Sequence, residues 1–287
     1  MRANNKGIQY VLPVAVLLVI FFLVPLVNVI KMSMMEWAIL GESTFVGFSN
    51  YLKTFQAKEF WASMGNTTIY SLLVTPMIFF PAMLFAVILS KPGRVSSLFR
   101  TLLFIPCAIS LVASSYIWSW ILSDTYGILN YLLKVSGILN EGKNWLGSTW
   151  SARLWISISV AWKTLGFSMV ILLAGLSSIS PSITEAAKID GAGNPRIFFS
   201  ITLPLIRPTL ALALIMSVAG SFKGFDQFVI MTGGGPMRTT QSIIMYINKI
   251  AFDFYDLGGS AAISVIFLIV LVTLSYYQNK LGGYGND

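Results

Sequence analysis

The chain has 287 residues, of which 56% are apolar and only 10% charged, with a formal net charge of +8 from 19 Lys and Arg against 11 Asp and Glu. Soluble domains carry about 25% charged residues. With a mean hydropathy of +0.77 the chain has too few charges to cover a soluble globule, so the composition specifies an integral membrane protein and excludes a secreted disulfide scaffold, a disordered tail and a free nucleic-acid-binding domain.

The absence of His excludes His-based catalysis and His metal sites, and the single Cys107, in an apolar stretch, excludes an internal disulfide. The basic balance reads as loop charge that sets topology and meets anionic membrane lipid rather than nucleic acid.

A spanning helix needs about 20 mostly apolar residues. Six stretches qualify: 8–30, 67–89, 102–122, 154–176, 208–230 and 259–277. The first is too long for a signal-peptide core and no clear cleavage site follows it, so it is expected to remain as an anchor. Pro13, Pro25, Pro76, Pro81 and Pro106 fall inside spans, where neighbours must satisfy the freed backbone groups. The chain, 1–287, reads as a single all-α membrane domain with both termini on one side.

Placing the N-terminus in the cytoplasm makes 1–7, 90–101, 177–207 and 278–287 the inner segments. They hold nine basic residues, Arg2, Lys6, Lys91, Arg94, Arg100, Lys188, Arg196, Arg207 and Lys280, in 60 positions. The outer segments 31–66, 123–153 and 231–258 hold eight in 95, diluted by seven acids. The positive-inside rule therefore predicts both termini in the cytoplasm. Trp37, Tyr51, Phe55, Phe60 and Trp61 stud the first outer segment, and Tyr126, Tyr131, Trp145 and Trp150 the second. They form either an interfacial aromatic belt or a docking surface for an external partner.

The inner loop 177–207 carries the clearest local signals. Ser182-Ile183-Thr184-Glu185 fits a capping box with Pro181 just ahead. A short helix is expected through Asp190, with Gly191 ending it as a C′ residue. Asn194-Pro195 is a turn signal, and a second helical stretch begins at Arg196. The result is a helix–Gly–helix elbow whose expected outer face, Ala186, Ala187, Gly191 and Ala192, is small enough for close approach of another protein. An ordinary amphipathic surface helix is the alternative.

Glu185-Ala186-Ala187, three residues, Gly191, nine residues, Ile201, one residue and Leu203-Pro204 together resemble the signature of ABC importer permeases. The version here resembles the binding-protein-dependent carbohydrate-uptake subgroup typified by maltose and glycerol-3-phosphate permeases. A second likeness is Phe225-Asp226-Gln227-Phe228 followed by Thr232-Gly233-Gly234-Gly235-Pro236 and Thr239. A third is Ala251-Phe252 with Gly258 and Ala261-Ala262.

The resemblance implies a six-span type I importer permease fold and transport by alternating access. It implies a second homologous permease, two cytoplasmic ATP-binding subunits and an extracytoplasmic solute-binding protein as partners, a sugar as substrate, and a bacterial or archaeal cytoplasmic membrane. It also implies ATPase coupling through Glu185, Ala186, Ala187, Asp190, Gly191, Leu203 and Pro204, and binding-protein contact through residues 232–236. The sequence holds no Gly-x4-Gly-Lys-Ser/Thr loop. No catalytic residue, metal or cofactor is therefore expected on this chain, with ATP and Mg on the partner ATPase.

Charges inside a membrane are costly and face the protein interior or a water path. Lys163, beside Trp162, sits near the middle of the fourth span. Lys223 and Asp226, three apart in the fifth, are expected on one helix face, among Phe222, Phe225 and Gln227. Aromatic faces, an amide and charges suit a sugar, so these seven residues are the candidate solute path. The alternatives are a structural Lys223–Asp226 pair and a Lys163 that binds the carbonyls of a neighbouring helix. A glycerol 3-phosphate importer on the same scaffold and a non-transport intramembrane protein are the rival functions.

Overall fold

The computed structural model describes residues 6–38 and 42–281. Arg2 and the last six residues of the expected inner termini lie outside them. The helices are α1 (Tyr10–Ser33), α2 (Ser49–Gln56), α3 (Lys58–Ile88), α4 (Arg94–Ala108), α5 (Leu111–Ile121), α6 (Ile128–Val135) and α7 (Thr149–Ser177). They continue as α8 (Pro181–Ile189), α9 (Asn194–Leu205), α10 (Arg207–Phe222), α11 (Asp226–Thr232), α12 (Ile243–Phe252) and α13 (Leu257–Leu281). Strands Met35–Glu36 and Thr44–Phe45 pair antiparallel with Met35 opposite Phe45.

Among the described residues, α1, α3, α7 and α13 are long and apolar enough to cross a membrane, and the bent pairs α4–α5 and α9–α10 supply the other two of six crossings when each pair counts as one. The expected spans 67–89, 154–176 and 259–277 correspond to α3, α7 and α13. The other two interior spans are not single straight helices. The chain turns by 98° between α4 and α5, where Ile109 is extended and the Ser110 hydroxyl caps α5 by accepting from the Ala113 amide at 3.1 Å. The expected span 208–230 stops at Phe222 and resumes as α11 from Asp226. At its start α10 meets α9 at 72°, pivoting on Ile206, which is 1% exposed.

Two π-turns have an identifiable cause. Val19–Leu23 in α1 lies just ahead of Pro25, and Phe198–Thr202 in α9 just ahead of Pro204. Proline donates no amide hydrogen and its ring crowds the preceding turn, and a widened turn relieves both problems.

The chain divides into two compact units. One joins the described residues up to Trp61 with Tyr246–Val270. Here Asn50 Nδ2 donates to the carbonyls of Ser33 and Met35, each at 3.0 Å, and Phe60 is buried against Phe55 and Trp61. The first aromatic cluster of the sequence thus packs partly against itself. The other unit, Ala62–Met245 with the chain from Leu271, holds two apolar cores. Tyr70, Val74, Ile156, Val160 and Phe228 build one; Ala82, Ala86, Met169, Leu172 and Ile206 build the other.

Small residues set the helix spacing in this unit. A Cβ placed on Gly166 of α7 would lie 2.1 Å from the Leu103 carbonyl oxygen of α4, and one on Gly175 would meet Thr209 of α10 at 2.7 Å. A backbone obstacle cannot rotate away, so Gly166→Leu should force α4 from α7 and cost roughly 3 kcal/mol or more. Gly65→Ala, where an added Cβ meets nothing within 4 Å, should be near neutral. Thermal unfolding of the two variants in detergent checks this, and an unchanged Tm for Gly166→Leu refutes the close approach.

Candidate functional site

The elbow forms, with different caps from those expected. Ser180, not Ser182, occupies the N-cap with no side-chain cap bond, Pro181 takes the first turn, and Ser182 lies inside α8. No capping box to Glu185 forms, because Pro181 starts the helix two residues earlier. The C-terminal expectation holds in detail. Gly191 has φ +80°, the Ala192 amide donates to the Ala187 carbonyl at 2.9 Å and the Gly191 amide to Lys188 at 3.0 Å. This is a Schellman closure. Glu185, Ala186, Asp190 and Gly191 are exposed, Leu203 is half-buried and Pro204 exposed. Ala187 is buried, so it belongs to the packing under α8 rather than to the small outer face assigned to it. The exposed face carries Ile189 instead, at 87%.

The Gly-rich loop also differs from expectation. Gly233 caps α11 at φ +57° and Gly234, at φ +84°, is buried, its would-be Cβ 3.3 Å from Met245 Cε. Gly234 is thus packed inside the turn, while Gly233 is exposed. Thr232 and Thr240 hydroxyls meet at 2.8 Å, Thr240 also donates to the Gly235 carbonyl at 2.6 Å, and Pro236 is half-buried. The outermost residues are Met237, 91% exposed, and Arg238, both at positive φ.

A side-chain network that sequence reasoning missed holds this loop. Arg153 of α7 donates from Nε to Asn66 Oδ1 at 3.0 Å and from Nη2 to the same oxygen and to the Thr239 carbonyl, the latter at 3.1 Å. Thr67 Oγ1 accepts from the Ile243 amide at 2.9 Å, and Ser71 accepts from Ser221 at 2.6 Å. Asn66, Thr67, Tyr70 and Ser71 fall at i, i+1, i+4 and i+5, one polar stripe on α3. That spacing, in a span that is otherwise largely apolar, is the signal that was available in the sequence. Arg100, read only as topology charge, caps α3 by donating from Nε to the Leu89 carbonyl at 3.1 Å.

Beside the stripe lies a cavity of about 260 Å³ formed by α3, α5, α7, α10 and α11. Of the expected path residues, Lys163, Lys223 and Gln227 line it. Trp162 does not; it is an exposed ring stacked edge-on to Trp118 at 6.1 Å. Phe222, Phe225 and Asp226 are also outside the lining. Lys223 ends α10 and Asp226 opens α11, so the break removes the shared helix face and the pair expected on it. Lys163 Nζ reaches the Cys107 carbonyl at 3.4 Å, the neighbouring-helix alternative, while remaining in the cavity wall.

Gln227 is 2% exposed. Its Nε2 donates to the Tyr70 hydroxyl at 3.3 Å and its Oε1 has no partner among the described residues. A buried amide oxygen without a donor costs about 1–3 kcal/mol. No group of three or more Asp, Glu or Cys among the described residues is placed to hold a metal ion.

Comparison with known proteins decides the family. The model for the inner membrane component of binding-protein-dependent transport systems matches residues 68–281. The chain belongs to this family. The permease is 33% identical over 290 residues to the trehalose/maltose transport system permease protein MalF of Thermococcus litoralis, covering all of this chain and 96% of that one. It is 31% identical over 280 residues to the lactose transport system permease protein LacF of Rhizobium radiobacter, covering 95% and 92%. It is also 31% identical over 280 residues to the sn-glycerol-3-phosphate permease protein UgpA of Agrobacterium fabrum, covering 96% and 94%. A bacterial ABC transporter involved in importing the acidic polysaccharide alginate shares the fold, with a TM-score of 0.84 over 99% of the permease and 97% of that chain at 22% identity.

The polar stripe generates a test. Arg153→Ala leaves Asn66 Oδ1 and the Thr239 carbonyl short of donors, at about 1–3 kcal/mol for a buried group. Amide hydrogen exchange at residues 239–243 should accelerate about tenfold or more, with Arg153→Lys intermediate because Lys lacks the fork. Unchanged protection in Arg153→Ala shows that the loop stands without the clamp.

Proposed function

We propose that the permease is one membrane subunit of an ATP-driven sugar importer that moves its solute by alternating access. A second homologous permease completes the path, two cytoplasmic ATP-binding subunits supply hydrolysis with ATP and Mg, and an extracytoplasmic protein delivers the sugar. The membrane is the cytoplasmic membrane, with the elbow and both termini inside. The observation that carries the reading is the cavity at the break between α10 and α11. It combines the unpaired Gln227 amide oxygen, the Tyr70 hydroxyl and apolar walls such as Val74 and Phe167, the mixture that a sugar's hydroxyls and C–H faces require. Relatives above 30% identity named for trehalose/maltose and lactose transport support the solute class.

The ATPase would dock on the exposed surface of α8 and read the position of α7 and α10 through it. Met237 and Arg238, at the tip of the loop, are the more accessible contacts for the binding protein than residues 232–236 beneath them. A glycerol phosphate solute is the second reading, favoured by the 31% identity to the sn-glycerol-3-phosphate permease.

Gly191 allows a selective test. A side chain there meets nothing within 4 Å, so its cost comes from φ +80° alone. Asn tolerates that conformation and Val does not, a difference of about 1–2 kcal/mol. In proteoliposomes holding the assembled transporter, Gly191→Val should retain membrane insertion but lose most maltose- or trehalose-stimulated ATP hydrolysis and uptake, while Gly191→Asn stays near wild type. If Gly191→Val transports at control rates, the elbow is not the coupling element. If wild type moves neither sugar but accumulates sn-glycerol 3-phosphate, the second reading replaces the first.

A further inference from the structure

The cavity wall carries two ammonium groups, Lys163 and Lys223, and no carboxylate among its described lining residues. In a membrane protein an uncompensated charge is expensive and marks a functional path. Lys163 makes one long hydrogen bond, 3.4 Å to the Cys107 carbonyl. That oxygen sits at the turn between α4 and α5, so it offers a partial dipole and no charge. Lys223, at the end of α10, is exposed, and the nearest acid in sequence, Asp226, begins a new helix outside the lining.

The remaining polar wall is neutral. Ser221 is engaged with Ser71, Thr164 with the Val160 carbonyl at 2.7 Å, and Gln227 offers an acceptor. Neutral sugar recognition needs only this second set. The two cations exceed it, and hydroxyl partners would leave both of them without a counter-charge.

We infer that the cavity selects an anionic carbohydrate: a sugar or sugar derivative bearing a carboxylate or phosphate, whose charge is met by Lys163 and Lys223 while Gln227 and Tyr70 read hydroxyls. The inference rests on the sugar-import reading and specifies its solute. A Lys ammonium is a compact point charge suited to either anion. A charge-assisted bond discriminates against the uncharged analogue.

The test uses the purified assembled permease with the binding protein omitted, so that only the membrane cavity selects. Equilibrium binding is measured for three probes: a glucuronate-containing disaccharide, trehalose 6-phosphate and maltose. The glucuronate arm reports a carboxylated sugar and the trehalose phosphate arm a phosphorylated one. One or both anions should bind about tenfold more tightly than maltose. That preference should fall as ionic strength rises, while maltose binding stays level.

Lys163→Met and Lys223→Met should each reduce the anion-to-maltose ratio about tenfold, and Lys163→Arg should restore it in part. A misfolded variant would lose all three ligands together, so the ratio separates charge recognition from structural damage. Maltose binding as well as or better than both anions, with ratios unmoved by the Met variants, overturns the charge assignment and leaves sugar import standing. Failure of all three probes to bind a correctly assembled wild type overturns the cavity as the solute site, and this inference with it.

Discussion

One face of α3 holds together the part of the chain that departs from helix. Between Phe222 and Ile243 the backbone leaves the helical ladder twice, at 223–225 and again at 233–242. In a membrane protein each unpaired amide or carbonyl there carries a heavy penalty. Side chains supply the missing partners. Asn66 bonds the Gln241 carbonyl, Thr67 takes the Ile243 amide, Ser242 bonds the Gly224 carbonyl at 2.8 Å, and Arg153 joins Asn66 to Thr239. The stripe holds residues 239–243, and Ser242 in turn holds the break at Gly224; without the break, Gln227 and Lys223 would continue one helix and the cavity would lose the wall they form.

Helices α7 and α10 connect the two ends of the candidate machinery. α7 carries Lys163 in the cavity wall and ends at Ser177, three residues before the N-cap of α8. α10 begins beside the buried pivot Ile206 and ends at the cavity with Ser221 and Lys223 beyond it. The two helices touch through Gly175 and Thr209 at a spacing that admits no added methyl. A displacement of the elbow therefore acts on two rods that both line the cavity, α7 through its middle at 160–168 and α10 through its far end. Such contiguous rigid elements are what coupling between distant sites requires.

Apolar runs made the four long helices α1, α3, α7 and α13 legible in the sequence, because lipid demands length and hydropathy and both are local properties. The Gly191 turn was equally legible, since a left-handed residue after a short helix nearly dictates glycine. The bends were not. Pro106 and Pro208 are visible, yet prolines 76 and 81 lie within an unbroken α3, so the residue alone does not decide whether a helix breaks. At the α4–α5 bend a neighbouring helix contributes, since Lys163 reaches the Cys107 carbonyl. The same limit explains Lys223 and Asp226: their spacing is helical, but the helix ends between them, where the Gly224 carbonyl accepts from Ser242. Ala187 and Gly234 are buried where an open surface was expected, because small residues serve close packing and open surface alike and sequence does not say which.

The π-turn at Phe198–Thr202 has a consequence for the direction in which the elbow points. A widened turn takes up one residue more than an α-turn, and each residue in an α-helix rotates the side-chain pattern by about 100°. The register of every side chain before Phe198, measured against Pro204 and the buried Ile206, is therefore offset by that angle from what a regular helix would give. Arg196, Ile197 and the chain leading back to Gly191 inherit this offset. Pro204 thus acts as a phase setter. By excluding one hydrogen bond it fixes the azimuth of the N-terminal end of α9, and a sequence that kept every surface residue but regularised this one turn would present them facing elsewhere.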